Sequence, residues 1–188
     1  MLVAVIGTDV FRDQPTLTGE RVRLEPLTSA VQEDYLASLK DPEVQRLTGS
    51  HGDFDDAEVA RWLATRQDHH DRADWAAVRI ADGAFLGEAV INQLDVANAS
   101  ANYRIWLGSA HLDRGYGTEI TRLVVDYALS VGLHRLSLGV YDFNPRARRV
   151  YEKCGFVLEG RLRDALRWDG EWHDELIMSV LASDPRSG

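Results

Sequence analysis

The sequence predicts an α/β (α+β) fold, in which a mixed, mostly antiparallel sheet of about seven strands is flanked by about four helices. Two hairpin signals, Asp82-Gly83 and Asp169-Gly170, each join two runs of strand character. Between these hairpins a predicted helix has apolar residues at helical spacing, and a strand-like run lies on either side of it; the residues are Ile120, Leu123, Val124, Tyr127 and Ala128. Strands joined by a helix are parallel and hairpin strands are antiparallel, so the sheet is mixed.

Composition limits the class of protein. The 188 residues are 45% hydrophobic and 27% charged, which fits one globular domain with its own core. The net charge of −9 disfavours nucleic acid and membrane as partners. The single Cys154 allows no internal disulfide, and no stretch approaches the roughly 20 apolar residues of a membrane span. We therefore predict a cytoplasmic domain over 20–181, an N-terminal arm (1–19) that is loose or adds an edge strand, and a C-terminal tail (182–188).

Local start and stop signals set the expected limits of each element. The first strand, 21–26, stops at a proline, and Thr28 can cap the helix that follows it. That helix is expected to end at Asp41-Pro42, and Asp55 or Asp56 can cap the next one. The remaining strands are expected at 75–80, 85–91, 100–108, 135–141, 156–168 and 171–181, and a last helix at 144–155.

A glycine-rich turn from Asp113 to Thr118 lies directly before the longest predicted helix. Its two glycines, Gly115 and Gly117, let backbone N–H groups converge on an anion at the positive end of that helix. A dinucleotide fingerprint would need a third glycine where the chain has Ile120, and the Gly-Lys-Ser/Thr of a P-loop is absent. The turn therefore predicts a pyrophosphate site of another kind.

Five motifs follow one another from this turn to the second hairpin signal. They are residues 114–119, 144–147, 150–156, 159–160 with 163–164, and 169–170. In this order they resemble the GNAT superfamily of N-acetyltransferases, and within it the branch of the ribosomal-protein N-terminal acetyltransferases RimJ and RimL and the spermidine acetyltransferases. The resemblance covers about residues 20–181 and implies the GNAT fold, with the sheet split between its fourth and fifth strands. It also implies acetyl-CoA as cosubstrate, no metal, and direct acetyl transfer to a primary amine in a ternary complex.

The resemblance also implies a role for each matching residue. Backbone amides from Arg114 to Thr118 would hold the pyrophosphate, the strand edge at Trp106-Leu107 would pair with the pantetheine arm, and Asn144 would hydrogen-bond that arm. Tyr151 would lie beside the thioester sulfur. Relatives carry Gln or Arg where this chain has Leu112, so that side-chain clamp is absent. The cofactor-binding residues expected on this basis are Trp106, Leu107, Arg114, Gly115, Tyr116, Gly117, Thr118 and Asn144.

Acetyl transfer needs a neutral amine, a donor for the oxyanion and an acid for the departing thiolate. Tyr151 fits the acid, although its spacing from Ala147 also suits core packing. The base is left unassigned, because the position at which several relatives carry a glutamate is Gly139 here. The alternatives are the carboxylates of Glu88, Asp142 and Glu175 and the loop histidines His51 and His111.

For the other charged and aromatic residues, the sequence either excludes a binding site or leaves two interpretations open. The adjacent His69 and His70 would point about 100° apart on a helix and do not form a zinc pair. The arginines of 146–149 are either helix surface charge or a contact for the 3′-phosphate of CoA. Trp168 and Trp172 suggest core or dimer packing.

Two classes of function remain open on the sequence. The first is an amine acetyltransferase that acts on a protein N-terminus or a small-molecule amine, and the retention of Tyr151 with Asn144 favours it. The second is a catalytically idle acyl-CoA-binding or regulatory module with the same fold. The loops at 48–56, 95–99 and 164–173 should shape the acceptor site. The expected partners are the amine and, in a homodimer, a second copy of the chain.

Overall fold

The structure, a computed structural model, describes residues 6–52 and 54–185. Parts of three predicted segments lie outside the described residues: residues 1–5 of the arm, 186–188 of the tail and Asp53 of the acceptor loop. The strands are β1 (Leu17–Thr18), β2 (Val22–Pro26), β3 (Ala73–Arg79), β4 (Phe85–Asp95), β5 (Ser100–Leu107), β6 (Arg135–Tyr141), β7 (Val157–Trp168) and β8 (Glu171–Leu181). The α-helices are α1 (Gln32–Leu39), α2 (Pro42–Thr48), α3 (Asp56–Ala64), α4 (Tyr116–Ser130) and α5 (Pro145–Lys153).

One mixed sheet joins all eight strands of the described chain, in the order β1-β2-β3-β4-β5-β6-β8-β7. The two predicted hairpins are β3–β4 and β7–β8, and both are antiparallel. Strands β5 and β6 are the parallel pair, and α4 connects them along the chain. The mixed sheet predicted from the turns and the connecting helix is therefore confirmed.

The predicted arm adds an edge strand to the sheet, which is the second of the two alternatives. Leu17 and Thr18 pair with β2, and the Trp75 indole N–H donates a hydrogen bond to the Pro15 carbonyl at 2.9 Å. Phe11 is only 1% exposed, and its ring lies 6.4 Å from that of Tyr127. This added strand makes eight strands where the sequence predicted about seven.

A fifth helix, α2, begins where the sequence predicted only a helix end. The Asp41 carboxylate accepts a hydrogen bond from the Glu43 N–H at 2.9 Å, and Pro42 occupies the first turn, where a backbone N–H has no intrahelical partner. The same Asp-Pro pair therefore ends α1 and starts α2. Helix α2 ends at Gly49, which has a φ of 65°, and this end packs against the Tyr141 side chain.

The two faces of the sheet carry separate hydrophobic clusters. Helix α4 lies on one face and buries Ile120 and Val124 completely, each worth about 1.5–3 kcal/mol of transfer free energy. Helices α1 to α3 cover the other face around Tyr35, Leu63 and Trp106. Within the described residues no helix has the length and hydropathy needed to cross a membrane.

Candidate active site

The site lies where β5 and β6 separate. The two strands pair only from Ser100 to Asn102 and from Arg135 to Ser137, and beyond these residues they diverge. The divergence opens a cleft of about 680 Å³. This is the split predicted between the fourth and fifth strands, which the added β1 renumbers as the fifth and sixth.

The glycine-rich turn forms one end of the cleft. Gly115 has a φ of 81° and precedes α4 without a side-chain cap, so no side chain of the described residues accepts the N–H groups of the first turn. A Cβ on Gly117 would come within 3.8 Å of Leu107 and 3.9 Å of Val150 across the cleft. These features suit an anion held by backbone amides.

An ion pair that sequence reasoning missed holds this turn against β2. The Arg21 guanidinium donates to the Arg114 carbonyl at 3.0 Å and to the Glu119 carboxylate at 3.2 Å. The same carboxylate accepts the backbone N–H groups of Arg21 and Val22 at 2.8 and 3.2 Å. Arg21 and Glu119 are 98 positions apart, and no local pattern links them.

Asn144 begins α5 at the side of the cleft. Its Oδ1 atom accepts the Ala147 N–H at 3.0 Å, which makes it the N-cap of the helix. The side-chain amide NH₂ is therefore the group that can donate to a ligand. Asn144, Trp106 and Leu107 all line the cleft, and β5 beyond Asn102 has no pairing with β6 on this edge.

Tyr151 lies on α5, which borders the same cleft. Its side chain is 7% exposed, and its ring packs 6.5 Å from Tyr103 and 5.9 Å from Phe156. Burial raises the pKa of Tyr151 above its ordinary value, which keeps the phenol protonated at neutral pH. Of the expected cofactor-binding residues, Arg114 alone is not among the side chains that line the cleft, and its carbonyl is bonded to Arg21.

A second cavity of about 390 Å³ opens on the face of the sheet that α1 to α3 cover. It shares part of its lining with the cleft, so the two cavities meet at the edge of β5. We call it the aromatic pocket. The aromatic residues that line it are Tyr35, Phe54, Trp62 and Trp106. The charged residues that line it are Glu58, Glu88 and Arg104. The residues that it shares with the cleft are Val44, Thr48, Arg104 and Trp106.

Glu88 is the most deeply buried carboxylate of the aromatic pocket, with 3% exposure. Its Oε2 atom accepts the Trp106 indole N–H at 2.8 Å, and its Oε1 atom is buried without a hydrogen-bond partner among the described residues. Burial, and then the charge of Asp74, raises the pKa of Glu88 to about 7. An orphaned carboxylate oxygen in a pocket suits a ligand that donates a hydrogen bond.

The other two candidate carboxylates occupy different surroundings. Asp142 faces His173 at 3.5 Å and Arg161 at 3.6 Å and does not line the cleft. Glu175 lines the cleft from β8, opposite Tyr141 of β6. Burial raises the pKa of Glu175 above its ordinary value.

The candidate arginines and histidines also differ in whether they line the cleft. Arg148 pairs with Glu152 at 2.8 Å, whereas Arg146 and Arg149 line the cleft. His51 stacks on Trp168 with ring centroids 5.0 Å apart. His111 lines the cleft. Its buried Nδ1 atom has no hydrogen-bond partner within the described chain, and burial lowers the pKa of its imidazole. In residues 6–52 and 54–185 no cluster of three or more His, Cys, Asp or Glu could hold a metal ion.

Comparison with known proteins identifies related sequences. Residues 21–157 match the family model described as acetyltransferase (GNAT) domain. The protein named "Probable N-acetyltransferase YjcK" from Bacillus subtilis is 41% identical over 80 residues, which cover 42% of this chain and 44% of that protein. The spermidine N(1)-acetyltransferase of Vibrio cholerae is 29% identical over 116 residues, which cover 61% of this chain and 67% of that protein.

Solved structures support the fold. The crystal structure of spermidine N-acetyltransferase from Vibrio cholerae in complex with CoA and spermine matches with a TM-score of 0.81 and 20% identity, over 88% of this chain and 98% of that chain. The matched segments of the two curated relatives span 44% and 67% of those proteins, whereas the family model covers well over half of this chain. The chain therefore belongs to the GNAT acetyltransferase family.

Proposed function

We propose that the protein transfers the acetyl group of acetyl-CoA directly to a primary amine within a ternary complex. The observation that carries this proposal is that one cleft joins an uncapped helix N-terminus at Gly115 to the buried, protonated Tyr151. The first feature suits a pyrophosphate and the second suits the acid that a leaving thiolate needs. Acetyl-CoA, when bound, supplies the acyl group as a thioester.

The residues of the cleft divide this work between binding and proton transfer. Backbone N–H groups of residues 115–118 would hold the pyrophosphate, while the free edge of β5 and the Asn144 amide would orient the pantetheine arm. Arg146 and Arg149 line the cleft near the turn and are the candidates for the 3′-phosphate. The Tyr151 phenol would give its proton to the sulfur as the carbon–sulfur bond breaks.

The aromatic pocket is the proposed acceptor site. It meets the cleft at Arg104 and Trp106, so an amine that extends from the pocket can reach the thioester. Aromatic faces and the carboxylates of Glu58 and Glu88 suit a cationic ammonium group and an apolar carbon chain. A small-molecule amine is favoured, as the name of the Vibrio cholerae relative states for that protein. A protein N-terminus and the RimJ/RimL branch remain alternatives within the same reaction.

The amine panel experiment separates this proposal from an idle acyl-CoA-binding module. Purified protein is incubated with acetyl-CoA and a panel of small amines and N-terminal peptides, and the released thiol is measured. We expect thiol release that depends on both substrates and an acetylated product of the matching mass. Binding of CoA, measured by calorimetry, with no thiol release across the panel would support the idle module.

Two further expectations remain proposals. A homodimer is supported by the exposed apolar residues on and beside the outermost strand, namely Val157, Leu158, Leu162 and Trp172. The cytoplasm is the proposed compartment because the chain has a single cysteine, which is not in a disulfide.

A further inference from the structure

Among the described residues, one unpaired carboxylate lies at the end of the cleft where β5 and β6 have separated, which we call the reaction end. Of the described residues that line the cleft, Asp113 and Glu175 are the two acids. Asp113 belongs to the glycine-rich turn and pairs with Arg146 at 3.1 Å. Glu175 lies where β5 and β6 have separated, and within the described chain it has neither a hydrogen bond nor an ion pair. Within residues 6–52 and 54–185, Glu175 is thus the one carboxylate at this end that can accept a proton from a substrate.

The sheet register shows how the side chain of Glu175 reaches this place. Glu175 pairs with Tyr141, and the next residue of β6 on the same face is Gly139. The Glu175 carboxylate lies over Gly139: a Cβ at position 139 would meet its Oε1 atom and would come within 2.7 Å of its Cδ atom. A side chain at position 139 would therefore displace the Glu175 carboxylate from this space.

The backbone does not explain the glycine at this position. Gly139 lies inside β6 and is not among the glycines with a positive φ. A glycine in a strand interior weakens the strand, and it often marks a close approach by another group. At Gly139 the approaching group is the Glu175 carboxylate, which occupies the volume that a β6 side chain would otherwise fill.

The surroundings of Glu175 leave its carboxylate available to an ammonium group. It is partly buried, on the sheet face against which the end of α2 packs. The ionisable side chains around it are Tyr141 on β6, Arg104 on β5 and, two residues earlier on β8, His173, which is itself paired with Asp142. Its neighbour on β7 is the apolar Leu162.

We propose that Glu175 is the general base of the reaction, acting from β8 in the space over Gly139. This inference rests on the proposed acetyl transfer. The acceptor ammonium gives one proton to the Glu175 carboxylate, and the neutral nitrogen then forms the bond to the acyl carbon. The carbon–sulfur bond breaks and the sulfur receives the proton of Tyr151. The nitrogen, now bonded to the acyl carbon, loses its second proton, which restores the Tyr151 phenol and leaves a neutral amide. Glu88 is not the base in this scheme, because it does not line the cleft and is hydrogen-bonded to Trp106.

The direct test removes the carboxylate and then returns it from the neighbouring strand. Glu175→Gln should bind CoA as the wild type does, while kcat/KM at neutral pH falls by about 100-fold or more and the acid limb of the pH profile disappears. In a Glu175→Ala background, Gly139→Glu places a carboxylate into the same space from β6. We expect this double variant to recover at least about tenfold over Glu175→Ala and to regain the acid limb.

Matched variants separate this role from a structural one. Glu33→Gln removes an exposed carboxylate of α1 that lines neither cavity, and it should leave kcat/KM and the pH profile unchanged. A Glu175→Gln enzyme with wild-type kcat/KM and pH profile would overturn the proposal. So would a loss of activity in which the acid limb remains and Gly139→Glu gives no recovery. A wild-type protein that releases no thiol would instead refute the proposed function, and this inference with it.

Discussion

The Glu88→Gln substitution should make the protein more stable than the wild type above neutral pH and have little effect at about pH 4. Glu88 is buried beside the aromatic pocket, and its pKa is raised from the ordinary 4.5 to about 7. Between these two values the folded state binds more protons than the unfolded state does. The free energy of unfolding of the wild type therefore falls as pH rises through this window.

The size of the effect follows from the same two pKa values. The difference between 4.5 and about 7, at about 1.4 kcal/mol for each pH unit, corresponds to roughly 3 kcal/mol of lost stability above pH 7. Glutamine has nearly the same shape, stays neutral, and keeps a carbonyl oxygen that can accept the Trp106 indole N–H. It should therefore avoid the cost of a buried charge without opening a cavity.

Urea unfolding of the wild type and Glu88→Gln at several pH values from about 4 to about 8 measures this difference. We expect the stability of the variant, relative to the wild type, to rise by up to roughly 3 kcal/mol across the series. Glu171→Gln, at an exposed position of β8, serves as the control and should show no such trend. Equal pH dependence in the wild type and Glu88→Gln would refute the raised pKa.

Two other predictions concern contacts between distant parts of the chain. Arg21→Ala should raise the KM for acetyl-CoA by roughly tenfold with little change in kcat, because it frees the glycine-rich turn from β2. The control Arg12→Ala removes an exposed ion pair with Asp9 and should leave the KM unchanged. Equal KM values for Arg21→Ala and the wild type in steady-state kinetics would contradict the role of Arg21. Phe11→Ala should lower the free energy of unfolding, measured by urea denaturation, by about 3–5 kcal/mol, because Phe11 is buried against Tyr127. A loss below about 1 kcal/mol would show that the arm does not contribute to the core.

The parts of the fold that sequence reasoning predicted have local signals. The turns at Asp82-Gly83 and Asp169-Gly170 specify their hairpins from two residues each, and the apolar stripe of α4 repeats over its whole length. The strand that follows α4 is parallel to β5 because the connection requires it. Pro42 predicts a helix end, whereas the structure has the start of α2 there, because proline also favours the first turn of a helix.

The parts of the site that could not be predicted depend on pairs of residues from distant segments. Arg21 meets Glu119 across 98 positions. Glu175 lies over Gly139 only because β8 inserts between β6 and β7 in the sheet. The sequence pattern left Glu88, Asp142 and Glu175 as equal alternatives, and the contacts of each carboxylate separate them. Glu88 belongs to the aromatic pocket and Glu175 to the cleft.

The central claim, that one cleft binds acetyl-CoA and carries out the transfer beside Tyr151, is tested most directly by Tyr151→Phe. The phenyl ring keeps the packing against Tyr103 and Phe156 and removes only the hydroxyl that would protonate the sulfur. Calorimetry with CoA should give the wild-type affinity, and thiol release with a reactive amine should fall by about 100-fold. Unchanged turnover in Tyr151→Phe, with CoA bound as tightly as in the wild type, would contradict this account.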